Sequence, residues 1–177
     1  MFRYFGAKNV RILNGGFKKW VHEHRKTASG QQTLHVSPVS IGVFDYKVAD
    51  PEKCILDINE IYSVARDIHH KKTDVQIVDA RSAGRFNGTA PEPRPGLRGG
   101  HIAGSLNLPF NLLINDDGTF KSDEEIATAF KEAGVDISKP ILNSCGTGVT
   151  AAVVSLGADL LGSKNNRLYD GSWSEYG

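Results

Sequence analysis

One segment of this sequence, residues 140–161, sets strong limits on the fold. It begins with a short run suited to a buried strand, residues 140–144, and continues into a turn that contains Gly146 and Gly148. From Val149 to Leu161 the chain is apolar on almost every side, which predicts a buried helix. A strand that passes through a tight turn directly into a buried helix is typical of a parallel sheet, because parallel strands need long crossover connections.

The flanking sequence repeats this alternation. Helical spacing of apolar residues predicts a helix over 57–70, and a capping box predicts a second over 122–134. Two short apolar runs, 75–80 and 167–169, predict further strands. The stretch from Arg81 to Gly100 is rich in Gly, Pro and Arg, which indicates a long functional loop. We therefore predict an α/β fold, with a parallel sheet covered by helices on both faces.

The first residues of the chain resemble its last ones. Residues 5–16 align with residues 161–172 at a constant offset of 156 positions, with Gly, Lys, Asn, Arg and Gly recurring at matching places. Each copy predicts a helix end with a glycine cap, a short strand and a glycine-containing turn. Such repetition favours a tandem of two similar domains. We interpret residues 1–22 as the end of a first domain, 23–40 as a polar linker and 41–177 as the catalytic domain.

Composition and charge exclude several classes of protein. A formal net charge of +1 argues against a dedicated binder of nucleic acid or of membrane surfaces. No run reaches the roughly 18 apolar residues of a membrane span. The two cysteines, Cys54 and Cys145, are too few for a disulfide framework or a cysteine-rich zinc site, and no metal site is predicted. Free thiols fit a reducing compartment, so we expect the cytoplasm or the mitochondrion.

Cys145 stands where the predicted strand ends and the glycine turn begins. Backbone N–H groups of such a turn point inward, and the following helix adds partial positive charge at its N-terminus. Both effects stabilise an anion on the sulfur and lower the pKa of the thiol. Glycines let the backbone approach a ligand closely. Cys54 lacks this setting, and we expect it to be a structural cysteine.

Two other cysteine chemistries fit the turn less well. A cysteine phosphatase needs an arginine six residues after the cysteine to hold phosphate, and that position is Ala151. A thiol protease needs a partner histidine, for which the only loop candidate of this domain is His101. A lone histidine is more often structural, and we expect that of His101.

Three motifs resemble those of the rhodanese and mercaptopyruvate sulfurtransferase family. They are the run Cys-Gly-Thr-Gly-Val-Thr-Ala from Cys145, the run Gly-His-Ile-Ala-Gly from Gly100, and the run Tyr-Asp-Gly-Ser-Trp from Tyr169. They lie in the correct order within residues 43–177. The run Leu-Asn-Gly-Gly-Phe from Leu13 resembles the last motif as it occurs in the first domain of a tandem member, which explains the repeat. The resemblance implies a rhodanese-like fold and a Cys145 persulfide, without a metal or an organic cofactor.

The residues after the cysteine bear on the sulfur donor. Thiosulfate-type members place Arg and Lys there, whereas Gly146 and Thr147 are neutral and resemble the mercaptopyruvate type. The resemblance implies that Arg85 and Arg94 bind the carboxylate and ketone of 3-mercaptopyruvate, and an arginine fork suits a carboxylate. Thr147 would relay a proton. The remaining substrate-binding positions that we predict lie in the same turn: Gly146, Gly148, Val149 and Thr150.

The predicted function is transfer of sulfane sulfur from 3-mercaptopyruvate to a small thiol, to cyanide or to thioredoxin. Two alternatives stay open at this stage: a thiosulfate sulfurtransferase, and a persulfide carrier that does not turn over. Two-domain members supply an Asp and a His from the first domain to support the catalytic hydroxyl, and no residue here matches them. No nucleic-acid or membrane partner is expected. The sequence also predicts that Asp79 and Arg81 pair structurally at the end of a strand.

Overall fold

The computed structural model describes residues 2–7, 9–30 and 55–177. Cys54, most of the predicted linker and the start of the predicted catalytic domain lie outside the described residues. The elements run in the order α1 (Gly16–His22), β1 (Ile55–Leu56), α2 (Ile58–His69), β2 (Gln76–Asp79), α3 (Ala83–Phe86), β3 (Leu106–Asn107), a 3-10 helix (Phe110–Leu113), α4 (Asp123–Glu132), β4 (Ile141–Ser144), α5 (Ala151–Leu160), β5 (Asn166–Tyr169) and α6 (Ser172–Tyr176).

The five strands form one parallel sheet in the order β1-β5-β4-β2-β3. Strand β2 occupies the position beside β4, with Asp79 opposite Ser144. Their carboxyl ends therefore meet at the same edge of the sheet. This register brings the loop that follows β2, which carries Arg81 and Arg85, next to the turn that follows β4, which carries Cys145.

Two apolar clusters cover the two faces of the sheet. Val78 and Ile141 face a cluster built with α4 and α5, in which Phe130 and Val154 are fully buried. Neighbouring strand residues point the other way, as the period of two in a strand requires, toward a second cluster built with α2. The predicted α/β sheet with helices on both faces is confirmed.

Helix ends follow the sequence signals closely. Asp57 and Ser122 each form a capping box, with the side chain accepting a hydrogen bond from the backbone N–H three residues later. The helix predicted from Val149 begins at Ala151 instead, since the preceding residues are used in the turn. The strands β1 and β3 were not predicted, because two-residue strands carry no alternation.

The N-terminal segment matches the repeat in part. Gly6 and Gly162 both have left-handed backbone, with φ of 82° and 86°, and α1 begins at Gly16 just as α6 begins at Ser172, at the same offset. The short strand predicted after Gly6 is wrong: residues 10–13 have no regular structure. A strand needs a neighbour to accept its hydrogen bonds, and Ile12 and Leu13 are 68% and 58% exposed instead.

Contacts from the N-terminal segment reach the residues that precede α4, near residue 117. Lys19 Nζ lies 2.5 Å from a carboxylate oxygen of Asp117, and the side-chain oxygen of Asn14 accepts a hydrogen bond from Phe120 N at 2.9 Å. The pKa of Asp117 is well below its ordinary value because Lys19 and Thr119 hydrogen-bond the carboxylate.

No helix in the described residues is long and apolar enough to cross a bilayer.

Candidate active site

Cys145 lies at the carboxyl end of β4 and is 1% exposed. Burial on its own raises the pKa of the thiol. Hydrogen bonds from the Thr150 hydroxyl and from the N–H groups of Ala151, Thr147 and Thr150 outweigh burial, so the pKa of Cys145 is lower than that of an ordinary cysteine. Thr150 and Ala151 stand at the start of α5, where the helix contributes partial positive charge. The turn thus favours a sulfur anion, as the sequence predicts.

The turn is held from the other side by the segment after β5. Trp173 N donates to Cys145 O at 2.9 Å, and Ser174 N donates to Gly146 O at 2.9 Å. Cys145 N in turn donates to the Ser172 hydroxyl at 3.1 Å. The C-terminal motif and the cysteine turn therefore form one hydrogen-bonded unit, which fixes the direction of the turn's inward N–H groups.

Gly148 is required in this unit for two separate reasons. Its φ of +80° is in the left-handed region, and a Cβ placed there would lie 2.9 Å from both the backbone oxygen and Oδ1 of Asp170. Any residue with a side chain at position 148 would therefore have a strained backbone and would clash with Asp170 unless the turn moved. The close approach to Asp170 ties the turn to the residue that follows β5.

We expect Gly148→Ala to lower stability by about 2–3 kcal/mol, from backbone strain together with the clash. The matched control is Gly162→Ala, which has a similar φ of +86° but nothing within 4 Å of the added methyl group, and which should cost only about 1 kcal/mol. Urea unfolding of both variants gives the comparison. Equal losses would mean that the approach to Asp170 does not constrain the turn.

A chain of buried charges fills the space behind the turn. Arg81, whose side chain is 0% exposed, pairs with Asp79 at 2.6 Å and with Glu92 at 2.8 Å, and it donates to Gly100 O at 2.8 Å. Its guanidinium also lies over the Trp173 ring, 4.5 Å from the centroid. The predicted pairing of Asp79 with Arg81 is therefore present in the structure, although with more partners than the sequence suggested.

Arg85 is held beside the cysteine turn by the same network. Its Nη2 donates to Glu92 at 2.5 Å, and a Cβ added at Gly146 would lie 2.7 Å from that Nη2. The Glu92 side chain is 1% exposed, and its pKa is lowered: burial raises the pKa, but the hydrogen bonds and charge of Arg85 and Arg81 outweigh burial. Glu92 remains a carboxylate and fixes Arg85 next to Gly146.

The other predicted site residues differ in their surroundings. Thr147 and Arg94 are exposed, and within the described part of the chain Arg94 has neither a hydrogen bond nor an ion pair. Val149 is 71% exposed at the rim of the turn. His101 stacks on Phe86 at 3.8 Å and its Nδ1 is 2.9 Å from Phe86 O, which agrees with the structural role expected of it.

Two residues that contact the site were not predicted as part of it. Glu92 cannot be predicted as a site residue from its own position in a proline-rich loop, because nothing in that segment indicates the two arginines with which it pairs. Ser172 had a usable signal, since the repeat pairs it with a glycine, Gly16. A serine at a position where the other copy has glycine indicates a role for the hydroxyl.

Residues 63–177 match the rhodanese-like domain family, and these residues include strands β2 to β5 and the whole site. The chain belongs to the rhodanese family. Among curated relatives, the 3-mercaptopyruvate sulfurtransferase of Mus musculus is 44% identical, across 99% of this chain and 55% of that protein. A thiosulfate sulfurtransferase of Gallus gallus is 43% identical, across 99% of this chain and 56% of that protein.

A solved structure agrees with this assignment. The crystal structure of SseA from Escherichia coli, described as a 3-mercaptopyruvate sulfotransferase, aligns with a TM-score of 0.77 and 36% identity, across 99% of this chain and 60% of that one. The chain spans about half the length of the curated relatives that it matches.

Proposed function

We propose that this chain moves sulfane sulfur from 3-mercaptopyruvate to a thiol or cyanide acceptor through a persulfide on Cys145. The observation that carries the proposal is a buried thiol whose pKa is lowered by four hydrogen bonds, with the guanidinium of Arg85 fixed beside the same turn. This pairing of an activated nucleophile with an anion-binding group suits a small carboxylate that carries sulfur.

In the first half-reaction the Cys145 thiolate attacks the thiol sulfur of 3-mercaptopyruvate. A sulfur–sulfur bond forms and the carbon–sulfur bond breaks, with its electron pair leaving on carbon as pyruvate enolate. Arg85 and Arg94 stabilise the carboxylate and the enolate oxygen. Thr147, which is exposed, relays the proton of the donor thiol to the enolate carbon, so the persulfide is left as an anion. The products are a Cys145 persulfide and pyruvate.

In the second half-reaction a thiolate attacks the outer sulfur of the persulfide. The sulfur–sulfur bond breaks and its electron pair returns to Cys145, which regenerates the thiolate and leaves the acceptor as a persulfide. Cyanide reacts in the same way and gives thiocyanate. A small thiol or thioredoxin is the acceptor that we propose. Thr147 and Val149 are the exposed residues of the turn and would contact it.

The donor preference follows from the charge of the turn. Thiosulfate carries two negative charges, and neither Gly146 nor Thr147 carries a positive charge that could bind it. Arg85 has much of its charge already balanced by Glu92. This arrangement suits the single carboxylate of 3-mercaptopyruvate better than a dianion. Thiosulfate remains the second candidate donor, supported by the Gallus gallus relative.

Arg85→Gln should raise KM for 3-mercaptopyruvate about 10- to 100-fold, because the carboxylate loses a charge-assisted hydrogen bond. Arg66→Gln removes an exposed arginine on α2 that hydrogen-bonds Ser63 of its own helix, and it serves as the matched control. Steady-state assays with a fixed thiol acceptor measure both. An unchanged KM in Arg85→Gln would exclude Arg85 from donor binding.

Sulfide release from 3-mercaptopyruvate and from thiosulfate, each with dithiothreitol, compares the two donors. Release that favours 3-mercaptopyruvate supports the proposal, and release that favours thiosulfate supports the second candidate. Stoichiometric persulfide without turnover would indicate a sulfur carrier.

We also propose that residues 1–22 end a first rhodanese domain, that residues 23–40 link it to a catalytic domain at 41–177, and that the protein works in the cytoplasm or the mitochondrion.

A further inference from the structure

Ser172 lies directly behind the cysteine turn and is 0% exposed. Its hydroxyl oxygen accepts the hydrogen bond from Cys145 N at 3.1 Å and lies 4.0 Å from the Cys145 sulfur. The hydroxyl donates its single proton to Tyr169 O at 2.9 Å. One rotation of the O–H bond would aim this proton at the sulfur instead.

We propose that Ser172 is a positioning residue for the Cys145 anion: its hydroxyl braces the Cys145 N–H and donates to the sulfur whenever the sulfur is charged. Ser172 is outside the Cys145–Thr150 turn, so its hydroxyl adds a donor from a separate segment of the chain. Its effect on sulfur transfer rests on the proposed function, whereas its effect on the thiol does not.

Backbone strain at Ser172 is a separate reason to assign its side chain a role. Its φ is +52°, in the left-handed region that serine rarely adopts. At the matching place in the N-terminal copy stands Gly16, with φ +58°. Glycine would accept this backbone with less strain. A buried serine in its place indicates that the hydroxyl compensates for the strain, as strained residues at functional sites commonly do.

The charge on Cys145 changes twice in each catalytic cycle. The sulfur is a thiolate before it attacks the donor, loses its charge when the persulfide forms, and regains the electron pair when the outer sulfur leaves. A hydroxyl that can donate either to Tyr169 O or to the sulfur follows these changes without moving the backbone. Ser172 would therefore favour Cys145 both as a nucleophile and as a leaving group.

The test is the pH profile of Cys145 alkylation by iodoacetamide, followed on the Cys145 peptide by mass spectrometry. In the unaltered chain the rate should half-titrate below the ordinary cysteine pKa, because the folded thiol ionises more readily. In Ser172→Ala and in Ser172→Gly the midpoint should rise by about one pH unit, since a hydrogen bond to an anion is lost. The glycine variant should unfold at a higher temperature than the alanine variant.

Ser174→Ala is the matched control. Its hydroxyl donates to Gly146 O at 2.5 Å, so it contacts the same turn without contacting Cys145, and its midpoint should not move. The proposal fails if neither Ser172 variant shifts the midpoint, or if glycine restores the original midpoint that alanine loses. The latter result would assign the effect to the backbone. Alkylation requires no sulfur donor, so a shifted midpoint supports Ser172 even where sulfide release is absent.

Discussion

Cys145→Ser is expected to lower sulfide release from 3-mercaptopyruvate by about 10⁴-fold or more, to the level of the uncatalysed reaction. The hydroxyl that replaces the thiol ionises at far higher pH and cannot hold sulfane sulfur. Because serine is nearly the same size, and the backbone N–H and carbonyl of residue 145 keep their bonds to Ser172 and Trp173, the variant should fold. Sulfide release and circular dichroism, measured side by side, separate lost chemistry from lost structure.

Cys54→Ser is the matched control, because it removes the other thiol of the chain. Its sulfide release should stay within about twofold of the unaltered chain, as is usual for a residue outside a site. If Cys145→Ser kept a tenth of the activity, or if Cys54→Ser abolished it, the assignment of the nucleophile would be wrong. A control that fails to fold would be recognised by circular dichroism.

The largest loss of stability is expected from Arg81→Met, at about 3–5 kcal/mol. Methionine fills much of the same volume but leaves Asp79, which is 2% exposed, as a buried carboxylate without its cation. Glu92 keeps Arg85 as a partner, so most of the loss comes from Asp79. Urea unfolding measures the change in the free energy of unfolding.

Two further variants check the cause of this loss. Arg66→Met removes an exposed arginine and should cost less than about 0.5 kcal/mol. The double variant Arg81→Met with Asp79→Asn should lose less than the sum of the two single variants, because the uncompensated charge is gone. A loss under about 1 kcal/mol in Arg81→Met alone would contradict a buried ion pair at this position.

The central part of the fold could be predicted because its sequence signals are local. An apolar run, a glycine turn and an apolar helix lie consecutively between Pro140 and Leu161, and the capping boxes at Asp57 and Ser122 mark helix starts. The two-residue strands β1 and β3 exist only because neighbouring strands accept their hydrogen bonds. No pattern within two residues can predict such pairing.

The site was predictable to the extent that its chemistry lies within one turn. Cys145 and Thr150 are joined by a turn of fixed geometry, so the lowered pKa of the thiol followed from the sequence. Glu92 and Ser172 act from other segments, and their contacts depend on the register of β2 and β5 beside β4. The strand predicted in the N-terminal copy is wrong for a related reason, since a repeat preserves sequence but not neighbours.

The mass of the intact chain after reaction with 3-mercaptopyruvate, without acceptor, shows whether Cys145 receives sulfur from that donor. We predict a gain of one sulfur atom, located on the Cys145 peptide, and its release as sulfide when dithiothreitol is added. The same experiment with Cys145→Ser should show no gain. A folded chain that gains no sulfur, or that gains it at Cys54, would show that Cys145 does not accept sulfur from this donor.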